Sequence, residues 1–316
     1  MWLPISILAY FLNAGVYTAD KYFLSKKIHS SITYAFYVGI WSIGNTVLFH
    51  FFPYWPDWPW LALELFAGLV YLWALVAWYK ALHQSEATKV VPLVGAFVPV
   101  FSFLLSALFL KESLSQQELL ALFILIVGGI LISIKQTEEN KFKKIIRGLS
   151  IFFGSKKAEL HPTGRLIANS LISAFTFAAY YALIKYIYMN EPFMGSYLWT
   201  RLGSFIGAIL LIVPAASRKI IFEKKRRQFA IKSWPLFLAV RFLGVIAFIL
   251  LNYAISLGSV PIINALQGIQ YVFLIFIVLF LSEAHPKILK EELGKPVLIQ
   301  KFIGVVMVSL GMYLLI

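Results

Sequence analysis

Apolar stretches of about 20 residues recur along this chain, at 3–22, 31–52, 60–82, 88–110, 116–135, 166–188, 193–215, 234–257, 260–282 and 298–316. At 1.5 Å of rise per residue, a helix of that length crosses a hydrocarbon core about 30 Å thick. Backbone polar groups cannot stay unpaired in lipid, and these stretches lack the strict alternation of barrel strands, so each is expected to be a helix. The expected fold class is an all-α membrane protein of ten transmembrane helices. Only 13% of residues are charged and the mean hydropathy is +0.82, which a soluble domain of this length does not need. Residues 1–22 have no basic segment before the apolar run and no small-x-small cleavage site, so they are read as the first span rather than a signal peptide.

The formal net charge of +14 is gathered in loops. Lys26, Lys27, Lys89, the cluster from Lys135 to Arg165, the cluster from Arg218 to Lys232, and Lys287, Lys290 and Lys295 all fall on one face of a ten-span chain. The other face offers Asp57, Lys111, Glu112 and Glu191. A basic domain for nucleic acid is therefore not indicated. The positive-inside rule instead places loops 136–165 and 217–233 in the cytoplasm and both termini outside, in a prokaryotic cytoplasmic membrane. Within 136–165, Phe142, Ile145, Ile146, Leu149 and Phe153 recur at helical spacing among Lys141, Lys143, Lys144 and Arg147. That pattern fits an interfacial helix on anionic headgroups of the bilayer, and equally a linker with chance spacing.

The chain also repeats itself. Ala14-Gly15-Val16-Tyr17 with Lys21-Tyr22 matches Ala178-Ala179-Tyr180-Tyr181 with Lys185-Tyr186, and Val98 to Glu112 matches Ile269 to Glu283. Five spans per half, an odd number, insert the second half upside down relative to the first, which is the inverted-repeat plan of many secondary carriers. The expected organisation is a first five-helix repeat at 1–135, a basic cytoplasmic linker at 136–165 and a second five-helix repeat at 166–316.

From Trp78-Tyr79-Lys80-Ala81-Leu82 through Val91-Pro92-Leu93, Val98-Pro99-Val100-Phe101, Leu108-Phe109-Leu110-Lys111-Glu112 and Leu114-Ser115 to Gly128-Gly129, the chain resembles the EamA-type carriers of the drug/metabolite transporter superfamily. The two five-helix repeats are EamA-like on this reading. The resemblance is strong over 70–135 and looser in the second half, where Gln270 stands at the position matching Pro99 and Val38 at the one matching Arg201. It implies a ten-span transporter of small molecules. The family is usually drawn with both termini in the cytoplasm, opposite to the loop charges here.

Arg201 and Arg241 each lie about eight residues into a span, roughly 12 Å from an interface. An arginine near the bilayer centre costs at least about 2.5–3.5 kcal/mol on insertion scales. Each is therefore a candidate to bind substrate from the wall of a wet cavity, or a structural cation that is paired or snorkels outward. An arginine common at the position of Arg201 in the family favours it as the binding residue. Tyr17, Tyr181, Asn252, Asn264, Gln267 and Gln270 are candidate hydrogen-bonding partners in a cavity, although polar side chains also join helices in lipid. Pro99 is expected to bend span four toward that cavity. Asp20 beside Lys21, and Glu64 near the start of span three, read as interfacial acids. Ser115 and Glu118 have the spacing of a capping box.

An enzyme needs a convergent nucleophile, metal set or acid–base pair. There is no cysteine, and His29, His50, His83, His161 and His285 are scattered without ligand spacing. No phosphate-binding loop supports direct ATP drive, and no cofactor is indicated. The reading is a secondary transporter, in the exporting direction, of a small anionic or zwitterionic metabolite such as an amino acid or organic acid. A proton is the candidate coupling ion. A nucleotide-sugar or lipid-precursor translocator of the same fold, and a non-transport scaffold, stay open at this stage.

Overall fold

Helix covers each apolar block, and the boundaries fall where sequence chemistry stops a helix. A computed structural model describes residues 1–26, 30–84, 87–133, 164–222, 234–284 and 295–315, and the described segments are helices joined by short turns. The basic segment expected to form an interfacial helix lies outside the described residues. In chain order the helices are α1 (Trp2–Lys26), α2 (Ser31–Trp41), α3 (Trp58–Gln84), α4 (Ala87–Leu105), α5 (Gln116–Ser133), α6 (Gly164–Asn190), α7 (Phe193–Leu210), α8 (Ala215–Phe222), α9 (Trp234–Leu257), α10 (Val260–Ala265), α11 (Gln267–Ala284) and α12 (Lys295–Tyr313).

Among the described residues, five segments are long and apolar enough to cross a membrane: Trp2–Asp20, Ser31–His50, Trp58–Gln84, Ile167–Asn190 and Trp234–Leu257. α7 and α8 add a sixth when taken as one span bent by 95°. That bend falls at Pro214, which disfavours the helical region at the residue before it. Val94–Leu110, Gln116–Leu131, Val260–Leu274 and Phe302–Tyr313 are shorter apolar helices.

Local chemistry explains several ends. Ser30 caps α2, accepting from the Thr33 amide. At α5 the capping box is formed in both directions: the Ser115 amide donates to Glu118 Oε2 (2.8 Å) and the Glu118 amide to Ser115 Oγ (3.2 Å). α2 tightens to a 3₁₀ helix over Ser42–His50, and α4 loosens to a π turn over Ser106–Leu110 before Lys111 adopts φ 54°. Both departures carry the irregular backbone that often marks functional segments.

α3 packs on α6 and α7, α1 on α9 and α11, α4 on α5, α6 and α10, and α5 on α12. The α3–α7 contact is close because both sides are bare: a Cβ at Gly68 would lie 2.1 Å from the Thr200 carbonyl oxygen, and one at Gly203 would lie 2.3 Å from that of Leu65. At the end of α3 where it begins, the 51–57 connection docks on the α6–α7 turn. Tyr54 bonds Glu191, its carbonyl accepts from Trp199 Nε1 (3.1 Å), and its ring lies against Gly195. Burial of the Tyr54 hydroxyl and its bond to Glu191 push its pKa up.

Candidate functional site

α1, α2, α3, α6, α7 and α9 surround a cavity of about 630 Å³. This is within the roughly 300–1,000 Å³ range of small-molecule sites. Its walls are mostly aromatic and aliphatic, including Tyr17, Tyr71, Trp78, Phe177, Tyr181 and Phe248. Two cations lie at its wall, and they are held in opposite ways.

Arg241 of α9 is neutralised. Its guanidinium forms an ion pair with Asp20 of α1, and the side chains are 11% and 6% exposed. Tyr34 of α2 donates to the same Asp20 oxygen (2.6 Å), and Tyr79 of α3 reaches the other at 3.5 Å. Four helices are thereby tied together at the end of the cavity nearer the basic loops. The ion pair compensates the charge of Arg241, although its Nε, like that of Arg201, is buried without a hydrogen-bond partner.

Arg201 of α7 is held differently. It is 5% exposed, and its Nη2 donates to the Tyr180 hydroxyl (3.0 Å), which in turn donates to Asn252 Oδ1 (2.9 Å). Tyr71 and Phe248 present ring faces 4.4 Å from its guanidinium carbon, with Tyr197 and Tyr180 at 5.5 and 5.8 Å. Such stacking is worth about 0.5–2 kcal/mol per ring, and it leaves the net charge in place. Among the described residues no carboxylate pairs with Arg201, and its Nε is buried without a hydrogen-bond partner. The cavity wall therefore holds a cation that no carboxylate among the described residues compensates.

Residues 1–134 match the EamA-like transporter family. The resemblance to the drug/metabolite transporter superfamily, read from residues in that segment, is thereby borne out, and this match and the membrane-length apolar helices support an integral membrane protein. Among curated proteins none matches the chain. One similar crystal structure of a protein overlays on 98% of this chain and 93% of its own, with a TM-score of 0.63 at 15% identity, and this likeness speaks to the fold alone.

Of the residues singled out from the sequence, Arg201, Arg241, Tyr17 and Tyr181 line the cavity. Asn252 stands behind the wall, holding Tyr180 and also accepting from Tyr188 (3.1 Å). Gln267 sits at the α10–α11 break and Gln270 is 1% exposed, and neither is in the wall. Asn264 donates to Ser102 Oγ (2.7 Å), joining α10 to α4 as helix glue. α4 is helical through Pro99, which is buried and is not among the residues that line the cavity. A break between helices falls at Leu266 in the second half, and the change of helix type in α4 comes at Ser106.

Two acids need correction. Asp20, read as interfacial, is 4% exposed and is paired with Arg241. Glu64, also read as interfacial, is fully buried beside Ser196. The docked 51–57 connection and the close α3–α7 contact cover it. The ring cage of Tyr71, Tyr180, Tyr197 and Phe248 went unseen as well. The signal that could have found it is an arginine whose cost must be met, flanked by Tyr197 on its own helix one turn away.

Proposed function

We propose that the protein is a secondary carrier that exports a small anionic or zwitterionic metabolite, an amino acid or organic acid, by alternating access. On this reading ten spans form two inverted five-span repeats, and the cavity lies at their interface near the bilayer centre. The observation that carries it is Arg201: a cation at the wall of a cavity of metabolite size, with no carboxylate against it among the described residues. A carboxylate or phosphate of the substrate would supply the missing counter-charge through planar, charge-assisted hydrogen bonds. No acid lies along Ile7–Ala19 of α1 to receive a lipophilic cation.

Asp20–Arg241, with Tyr34 and Tyr79, serves as the closed gate at one end of the pathway. The acid, the arginine and the two tyrosine donors come from four different helices, so opening this end requires the group to separate. The gate end is the end of the basic loops, which charge assigns to the cytoplasm.

The experiment is uptake into proteoliposomes of labelled amino acids, organic acids and quaternary ammonium dyes, with and without a proton gradient. Saturable movement of an anionic or zwitterionic compound, lost in Arg201→Gln, is the expected result. Movement of the cations alone would refute the reading.

A further inference from the structure

The cavity wall is incomplete along one seam. On one side of it stand Trp41, Gly44 and Val47 from α2 and its 3₁₀ continuation, and on the other Leu238, Phe242 and Val245 from α9. Val47 is 68% and Phe242 69% exposed although both line the cavity, so the interior there is continuous with the outer surface of the bundle. α2 and α9 do not pack together along their length, whereas α3 and α7 are locked at Gly68 and Gly203. In the repeat proposed above, α2–α9 and α3–α7 are counterparts, so one of two equivalent seams is shut and the other open.

The chemistry of the rim decides what the seam faces. Trp41, Val47, Leu238 and Phe242 are apolar and lie within membrane-length segments, where the medium is acyl chain rather than water. Gly44 has nothing within 4 Å of the position of a Cβ, and Gly244 has only Val16 at 3.7 Å, so the backbone on both sides leaves room for a chain-like group. Behind this apolar slot lies the uncompensated positive charge of Arg201.

We propose that the seam is a lateral portal and that the substrate is an anionic amphiphile drawn from the bilayer, its head at Arg201 and its single hydrocarbon tail between α2 and α9. This rests on the carrier reading and narrows its substrate from a water-soluble metabolite to a membrane-dissolved one. An apolar slot opening onto lipid and ending at a buried cation matches the two halves of such a molecule: the tail stays in a medium like its own while the head is neutralised.

The test uses the full-length protein in phosphatidylcholine vesicles containing a diazirine-bearing palmitate, with cross-linked peptides mapped by mass spectrometry. The label is expected to concentrate on 38–48 and 238–248. It should fall about tenfold in Gly44→Trp, which plugs the slot, and by a similar factor in Arg201→Gln, which removes one charged contact. Val245→Trp plugs the same slot from the opposite rim should Gly44→Trp fold poorly. Label spread evenly over outward residues such as Phe123 and Ile172, and indifferent to both plugs, would overturn the portal. Uptake of labelled succinate in the same vesicles separates the two failures. If succinate moves in an Arg201-dependent way while palmitate labels evenly, the portal falls and the carrier reading stands. If succinate does not move and palmitate labels evenly, both fall.

Discussion

Asp20 and Arg241 stand 221 positions apart in the sequence and form one buried ion pair that ties the first long helix to α9. Removing one partner of such a pair leaves an uncompensated charge and costs about 3–5 kcal/mol, while replacing both by apolar groups is often close to neutral. Asp20→Ala is therefore expected to lower thermal stability in detergent sharply, and Asp20→Leu with Arg241→Met to recover most of the loss. Equal destabilisation by the single and the double variant would remove the pair from the account of stability.

The α3–α7 contact depends on the absence of side chains. A Cβ at Gly203 would lie 2.3 Å from a backbone oxygen that cannot rotate away, whereas one at Gly44 would meet nothing within 4 Å. Gly203→Ala should cost at least about 1–3 kcal/mol, the usual penalty of overpacking, and Gly44→Ala should leave stability within about 0.5 kcal/mol. Thermal melts of the two variants in one detergent check the contrast. Similar melts would mean that the helices can separate without cost.

What could be read from the sequence followed from lengths and local patterns. Apolar runs of membrane length gave the helices, Ser115 and Glu118 gave a capping box that forms as expected, and the insertion cost of Arg201 pointed to a cavity wall. What escaped depended on partners distant in sequence. Asp20 reads as an interfacial acid from its place at the end of the first span, and nothing local indicates Arg241. Glu64 was placed at an interface because its depth along α3 is small, yet burial there is set by a connection that folds back over it. The missing amide of Pro99 points to a bend in α4, and a break between helices occurs at Leu266 in the half where glutamine stands at the matching position.

Orientation follows from loop charge and is open to direct labelling. The sequence contains no cysteine, so single cysteines report cleanly. In intact cells, a cysteine at the exposed Asp57 should react with an impermeant thiol reagent, and one at the exposed His83 should not. The reverse pattern would turn the protein over in the membrane.

Glu112, in the turn between α4 and α5, accepts from Ser259 Oγ (3.3 Å) and has its pKa raised by burial, against the opposing pull of Lys185. A carboxyl whose folded pKa lies above its unfolded value binds more protons in the native state. Stability should then fall as pH rises from the ordinary carboxylate range toward the raised value. Glu112→Gln should flatten that part of the pH–stability profile. An unchanged slope would assign it to other groups.

The central claim is that Arg201 binds the negative group of the transported molecule, and the most direct test is the transport KM of Arg201→Lys against the unaltered protein in proteoliposomes. Lysine keeps the charge but loses the planar fork and the stacking on Tyr71 and Phe248. Loss of a charge-assisted bond worth about 1.5–3 kcal/mol should raise the apparent KM by roughly 10- to 100-fold while folded yield is maintained. Export of quaternary ammonium dyes by the purified protein, undiminished in Arg201→Lys, would contradict the claim.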